Sequence, residues 1–281
     1  MAVNIYAFSD EADGTLEGQI AALKANSLDG MEIRGVNGKN VADLTPAEAV
    51  EIKKRLDGEG LKVWSIGSPI GKIHIEKDDF KAHLEVFRRT LDIADILDAR
   101  MFRLFSFYLP HDKAPSDFKE EVLERMGRFA ELGRGHSVTL CHENEKGIYG
   151  ENAVRCFDIL TAIPEIKGIF DPANFIQSNQ ETLEAWELLK PHIQYLHVKD
   201  ALADGSVVPA GKGIGNLAHI VREYLNMGGT SFTIEPHLKV FSGLASLEQD
   251  GHRTLPGVYE YESNRIAFDA ACAAFREVLA D

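Results

Sequence analysis

Lys167-Gly168-Ile169-Phe170-Asp171-Pro172-Ala173-Asn174 carries the pattern that decides the fold of this 281-residue chain. A short apolar run rich in β-formers ends in an acid. Runs of the same kind recur at 3–8, 30–34, 61–66, 100–107, 137–142, 193–198 and 231–234. Between them lie longer segments with apolar residues at three- and four-residue steps, the period of an amphipathic helix. Leu16, Ile20 and Leu23 line one such face, and Phe80, Leu84, Phe87, Leu91 and Ala94 line another. Thr45-Pro46-Ala47-Glu48 predicts a helix start, with Thr45 capping, Pro46 in the first turn and Glu48 closing a capping box.

Eight strand–helix pairs with mostly short connections predict parallel strands joined by right-handed crossovers. They close most economically into a single α/β (β/α)8 TIM barrel, an architecture of roughly 250 residues; a doubly wound open sheet is the alternative. No linker rich in Pro, Gly or Ser divides the chain, so one domain over 1–281 is expected. Two connections, at about 200–215 and 236–263, exceed the usual length of about 4–6 residues. In a barrel both would lie on the C-terminal face, where active sites form. The second, with Phe241 and Leu244, reads as a lid or a subunit contact, and a homo-oligomer is compatible with it.

Composition narrows the function classes. Thirty Lys and Arg against 44 Asp and Glu give a net charge of −14, which repels a polyanion. Nucleic acid is therefore not an expected partner. No apolar stretch approaches the ~20 residues that cross a bilayer, and Met1-Ala2-Val3-Asn4 lacks a charged signal-peptide start. Cys141, Cys156 and Cys272 are odd in number and show no zinc-finger spacing. A cytoplasmic protein acting on something small is expected, with no membrane partner.

The strand ends carry the chemistry. The fifth run leads into Glu143, the sixth into Asp171, the eighth into Glu235, and the seventh contains His197. Four adjacent strands would aim these side chains at one centre. Any one acid at a strand end is ordinarily a helix cap or a loop ion pair; four on consecutive strands are harder to assign that way. Three carboxylates and an imidazole would repel one another and be costly to desolvate without a cation among them. Mixed oxygen and nitrogen ligation suits one divalent ion, manganese, magnesium or cobalt, and zinc is also compatible. The argument rests on strand register, since a slip of one residue turns a side chain out of the barrel.

With these residues in place, the chain resembles the xylose isomerase-like barrel family of sugar isomerases and epimerases, which includes ketose 3-epimerases, inosose dehydratases and hydroxypyruvate isomerases and shares its fold with endonuclease IV. The resemblance spans nearly the whole length. It rests on Asp29-Gly30-Met31-Glu32-Ile33-Arg34, Ser68-Pro69, His142-Glu143-Asn144, Asp171-Pro172, His197-Val198-Lys199-Asp200, Gly211-Lys212-Gly213 and Ile234-Glu235-Pro236. It implies that Glu143, Asp171, His197 and Glu235 bind one divalent metal and that Glu143 and Glu235 are the catalytic acid/base pair. Asn174 stands where many relatives carry a histidine that contacts substrate or a further metal. That departure, with the acidic charge, argues against DNA repair; Asn174 can still hydrogen-bond a hydroxyl.

A metal chelating a carbonyl and its neighbouring hydroxyl would acidify the carbon-bound proton between them and stabilise the enediolate. Return of a proton to the opposite face gives an epimerase, return to the neighbouring carbon an isomerase, and loss of a hydroxyl a dehydratase acting on a keto-cyclitol or keto acid. The residues fit all three, with a small sugar, sugar acid or cyclitol as substrate. A noncatalytic sugar-binding barrel subunit and, last, a metal nuclease are the remaining alternatives.

Secondary candidates surround the centre. Lys199 shares a strand face with His197 and can contact substrate or pair with a carboxylate. His237, two residues after Glu235, can line the pocket or bond backbone. Phe107 is a candidate apolar wall for a sugar; at period two, aromatics are more often core. His74 and His111 fall in loops where a substrate role is open. The amides of Gly211-Lys212-Gly213-Ile214-Gly215 can hold an anion, or simply enter a helix. Glu32 and Arg34 read as an ion pair inside the barrel, His142 as a helix-packing or supporting residue, and Cys141 as a buried small residue.

Overall fold

A computed structural model describes residues 3–241 and 259–281. Eight strands close into a parallel barrel: β1 (Asn4–Ala7), β2 (Gly30–Ile33), β3 (Lys62–Ile66), β4 (Met101–Leu104), β5 (Thr139–Glu143), β6 (Lys167–Phe170), β7 (Ile193–Val198) and β8 (Ser231–Ile234). Each pairs with its chain neighbours, and β1 pairs with β8 to close the ring. The helices are α1 (Leu16–Ala25), α2 (Pro46–Gly58), α3 (Phe80–Ile96), α4 (Lys119–Gly133), α5 (Ala153–Ala162), α6 (Pro172–Gln177), α7 (Thr182–Leu189), α8 (Leu217–Asn226) and α9 (Asn264–Ala280). The α2 entry is the predicted one: Thr45 and Glu48 bond reciprocally, with Pro46 in the first turn. Among the described residues no helix is long and apolar enough to cross a membrane.

The apolar faces of these helices pack on the outside of the strands. Leu16, Ile20, Leu23, Phe87, Leu91 and Ala94 are buried there, with Leu84 packed against them. Inside the barrel the fill changes along the axis. Met101, Cys141, Ile169 and Tyr195 form a separate apolar plug, and Trp64 packs against it and stacks on Tyr6 at 4.9 Å between ring centres. Side chains two apart share a strand face, so the residues above this plug on the same strands point into the mouth.

Two local irregularities shape that mouth. The β2–β3 register shifts between Met31 and Glu32, which breaks the simple alternation through Trp64. The fourth strand is shorter than the apolar run 100–107 suggests. After Leu104 the chain pairs with the loop beyond β3, where Phe105 donates to the Ile70 carbonyl at 2.8 Å and Phe107 to that of Gly71 at 2.9 Å. Phe107 turns into positive φ, at 66°, and the period-two alternation ends.

Of the two long connections, that at 200–215 contains a short hairpin, Asp200–Ala201 against Val207–Val208. Most of the other, 236–263, including Leu244 and its proposed lid, lies outside the described residues.

Candidate active site

The seventh strand builds the centre in layers. Tyr195 belongs to the plug, His197 stands one pleat above it, and Lys199 follows above His197. Around His197, the ends of β5, β6 and β8 contribute Glu143, Asp171 and Glu235, all buried. One ligand-capable atom from each of the four residues lies within 4.8 Å of the other three. His197 Nδ1 is 2.9 Å from Glu143 Oε1 and 3.3 Å from Glu235 Oε2. The strand register expected from the sequence therefore holds on all four strands.

Each carboxylate is held from behind. Arg103 on β4 reaches Glu143 Oε2 at 3.1 Å, and the Asn174 amide reaches Glu143 Oε1 at 3.4 Å. Glu235 lies 3.4 Å from Arg34 and 3.2 Å from Lys199. Asp171 divides its two oxygens between two tasks. Oδ1 caps α6, accepting from the Asn174 backbone at 2.9 Å. Oδ2 faces the cluster, 2.9 Å from Lys199 Nζ, but makes no hydrogen bond of good geometry. Thus the ordinary role of a strand-end acid and the special one coexist on one side chain.

Electrostatics follow from burying so many ions together. Burial pushes the Asp171 carboxyl upward, and Glu235 and Glu143 add to the effect against the pull of Lys199. Burial also opposes the Glu235 carboxylate, yet Lys199, His237 and His197 hold it well below its ordinary range. For His197, burial disfavours the charged ring, and Glu143 and Glu32 outweigh it and raise its pKa well above the usual value.

The donor set fits a divalent cation. Three carboxylates and an imidazole converge on one point, and Asp171 Oδ2 is buried there without a hydrogen bond. Oxygen-rich ligation with one nitrogen suits the hard-to-borderline first-row ions and magnesium. A second group, Glu11, Glu235 and His237, also brings ligand-capable atoms within 4.8 Å. There the Arg34 guanidinium already lies 3.0 Å from Glu11 and 3.4 Å from Glu235. That group has its cation.

The neighbouring candidates divide. Lys199, open between substrate contact and ion pair, takes the ion pair with Asp171 and Glu235. Asn174 joins the cluster, with its amide also donating to the Asn144 carbonyl at 2.9 Å. His237 is brought in as well: its backbone amide donates to Glu11 at 2.6 Å, and its ring lies 3.3 Å from Glu235. His142 points away and bonds Ser106 Oγ at 2.9 Å, the supporting role its position in the strand implies. Cys141 is buried in the plug.

Three expectations are corrected. Phe107 does not wall the mouth: its ring packs 5.8 Å from both Phe80 and Phe129 in the helical layer, because its positive φ turns it out of the barrel. The aromatics that do face the charged cluster are Phe8, between Arg34 and Arg103 and edge-on to His197, and Phe105, under Lys72 and Arg103. Glu32 and Arg34 do not pair with each other. Glu32 bonds His197 and Tyr195, whereas Arg34 bonds Asp10 and Glu11. Finally, the glycine loop holds an internal anion. The Asp200 carboxylate accepts from the amides of Gly211, Gly213 and Gly215 at 2.9–3.0 Å. A Cβ at Gly213 would stand 2.3 Å from the Ala201 carbonyl oxygen, so this close wrapping requires glycine.

The sequence reading left Glu11 and Phe8 unassigned and treated Arg103 only as a strand residue. A signal existed in the period: Arg103 is two residues from Met101 and Phe105, so a charge lies on an otherwise apolar inward face. Nothing local marks Glu11, whose partners come from the second and eighth strand ends.

Comparison with other proteins agrees with this fold. None of the curated proteins matches the sequence significantly. A solved D-tagatose 3-epimerase-like protein superposes with a TM-score of 0.75 at 15% identity, covering 99% of this chain and 97% of the other. A probable 3-DHS dehydratase, AsbF, involved in petrobactin synthesis in Bacillus anthracis, gives a TM-score of 0.71 at 16% identity over 100% and 99% of the two chains. A xylose isomerase-like TIM barrel protein from Mycobacterium smegmatis, in complex with magnesium, gives 0.70 at 15% identity over 99% and 97%. The profile of one family matches residues 20–250, and by that match the chain belongs to the xylose isomerase-like TIM barrels.

Proposed function

We propose that this protein is a divalent-metal-dependent isomerase or epimerase of a small sugar, sugar acid or cyclitol. The observation that carries the reading is the convergence of Glu143, Asp171, His197 and Glu235, with two of the carboxylates on nonadjacent strands. These four residues would hold the cation. Once bound it would supply a Lewis acid for a substrate carbonyl and its neighbouring hydroxyl, making the proton on the carbon between them removable.

The chain's own residues do the rest. One of Glu143 and Glu235 takes the carbon-bound proton on a carboxylate oxygen, and the other serves the opposite face. Arg103 and Asn174 orient Glu143, while Arg34 and Lys199 orient Glu235, so neither carboxylate must reorganise when the proton moves. Phe8 and Phe105 supply apolar surface beside the charged cluster, which excludes water from it. Epimerase-like and isomerase-like relatives of the same fold support the reading. The structural likeness to a probable dehydratase supports a second outcome at the same centre, in which a hydroxyl departs after proton removal.

Proton NMR in deuterated water tests the proposal. With added manganese, magnesium, cobalt or zinc, a panel of ketoses, inososes and keto acids is screened for loss of the carbon-bound proton next to the carbonyl. Exchange without loss of a hydroxyl supports isomerisation or epimerisation; exchange with a new unsaturated product supports dehydration. Absence of exchange with every metal, in a protein that binds none of them, defeats the reading.

A further inference from the structure

Beneath the proposed metal ligands lies a buried carboxylate that belongs to none of them. Glu32, on β2, is 1% exposed and stands at the boundary between the apolar plug and the charged mouth. Its Oε2 is 3.1 Å from His197 Nε2. Both of its oxygens accept from the Tyr195 hydroxyl at 3.1 Å, and that hydroxyl is 3.1 Å from Ser65 Oγ. The opposite edge of the same imidazole, Nδ1, faces Glu143 and Glu235. The two ring nitrogens are thus offered to two different environments.

A carboxylate accepts hydrogen bonds and does not donate them when ionised. Set against Nε2, it keeps a proton on that nitrogen when a cation among Glu143, Asp171 and Glu235 takes the place of the proton on Nδ1, the nitrogen aimed at the cluster. A hydrogen bond from the far N–H of a ligand histidine to a carboxylate also makes the ring a stronger donor and fixes its plane. Burying an anion this deep is expensive. The obvious structural partner, Arg34 on the same strand face, is engaged with Asp10, Glu11 and Glu235 instead. Glu32 instead bonds His197 and the tyrosine that holds it in place, with the Arg103 guanidinium adding attraction at longer range.

We propose that Glu32 is a positioning residue for the metal centre: it fixes a proton on His197 Nε2, assigns Nδ1 as the ligand atom, and is itself held by Tyr195 and Ser65. The inference rests on the metal-site reading given above. It makes the hydrogen-bonded chain Ser65–Tyr195–Glu32–His197 the support that converts an apolar barrel floor into a site for a cation.

The test combines metal affinity with the state of one proton. Titration calorimetry with Mn2+ is run on wild type, Glu32→Ala, Glu32→Gln and Tyr195→Phe, with circular dichroism as the folding control. In parallel, 15N-histidine protein loaded with Zn2+, which is diamagnetic, is examined for the His197 Nε2–H signal, assigned by its loss in His197→Gln. Wild type should show that proton protected from exchange. Glu32→Ala should lose the protection and bind Mn2+ about 10–100-fold more weakly. Glu32→Gln, whose amide oxygen still accepts, should keep the proton with an intermediate loss of affinity, and Tyr195→Phe should show the smallest loss. A folded Glu32→Ala with wild-type affinity and an unchanged Nε2 proton overturns the proposal and leaves Glu32 a structural residue. If Glu32→Ala fails to fold, Glu32→Gln decides, because unchanged affinity there removes the role of the charge. If wild type binds no metal, the functional reading fails instead; the Nε2 proton of metal-free protein, protected or not according to Glu32, then judges the hydrogen bond alone.

Discussion

Below His197 the barrel interior is closed by Trp64, Met101, Cys141, Ile169 and Tyr195; above it, the strand ends deliver Arg34, Arg103, Glu143, Asp171, Lys199 and Glu235. The two regions are a pleat apart, and both are largely buried. The floor is mostly apolar, its Tyr195 hydroxyl is hydrogen-bonded to Glu32, and the Trp64 indole nitrogen is buried there without a partner. The mouth departs from it by burying many ions together, which mutual pairing offsets and which the cation of the proposed function would offset further. The floor contributes packing alone, whereas the mouth contributes both ion pairing and, in the proposed function, the chemistry. Arg103 and Met101, on one face of β4, show that a shift of two residues along a strand changes the task.

The sharpest way to break the comparison is to neutralise the proposed bases. Glu143→Gln and Glu235→Gln should each slow deuterium exchange by roughly 10²–10⁴-fold, and Glu235→Gln should also lower the melting temperature of the metal-free protein, because Lys199, His237 and His197 favour its ionised form in the fold. A variant that retains wild-type exchange on a turned-over substrate removes that residue from the acid/base pair. Arg34→Met attacks the mouth through its pairing instead. It strands Asp10, Glu11 and Glu235 around an apolar side chain and should cost about 3–5 kcal/mol in urea unfolding.

The floor should behave differently. Met101→Ala should cost roughly 2–3 kcal/mol by leaving a cavity, yet leave exchange rates unchanged at temperatures where the variant is folded. If activity falls as steeply as stability, the two regions are not separable. Away from both, Asp200→Asn replaces an acceptor of four backbone amides and should cost about 1–2 kcal/mol, with faster amide hydrogen exchange at Gly211, Gly213 and Gly215.

The smallest effect is a pH signature outside the barrel. Burial lowers the pKa of His83 from 6.5 to about 4, and its Nε2 accepts from the Gly71 amide at 2.8 Å. The unfolded chain takes up this proton first as pH falls. Its contribution to stability is therefore complete above about pH 6.5, lost progressively toward pH 4, and constant below. His83→Gln should flatten the melting-temperature curve across that window and no other.

Much of this was legible before any tertiary structure. The eight apolar runs, the helical faces, the cap at Thr45 and the four strand-end residues depend on local periodicity, which side chains one and two positions apart express directly. Less legible was anything that depends on a partner across the barrel. Glu32 and His197 are 165 residues apart, and Arg34 and Glu235 are 201 apart, so the nearer and apparently sensible Glu32–Arg34 pair misleads. Phe107 misleads for a backbone reason: its strand pattern is intact in sequence, but pairing with the Gly71 loop forces a positive φ and turns the ring outward.

The sequence by itself determined the barrel and the identities of the four residues that meet at its mouth, because strand period and strand order are properties of the chain read in one dimension. Only the tertiary structure decided which oxygen of Asp171 caps a helix and which faces the cluster, which nitrogen of His197 looks up, and whose carboxylate fills the glycine loop. Those choices are made by hydrogen bonds between groups that closure of the barrel brings together, and a directional bond has no counterpart in the pattern of apolar and polar letters.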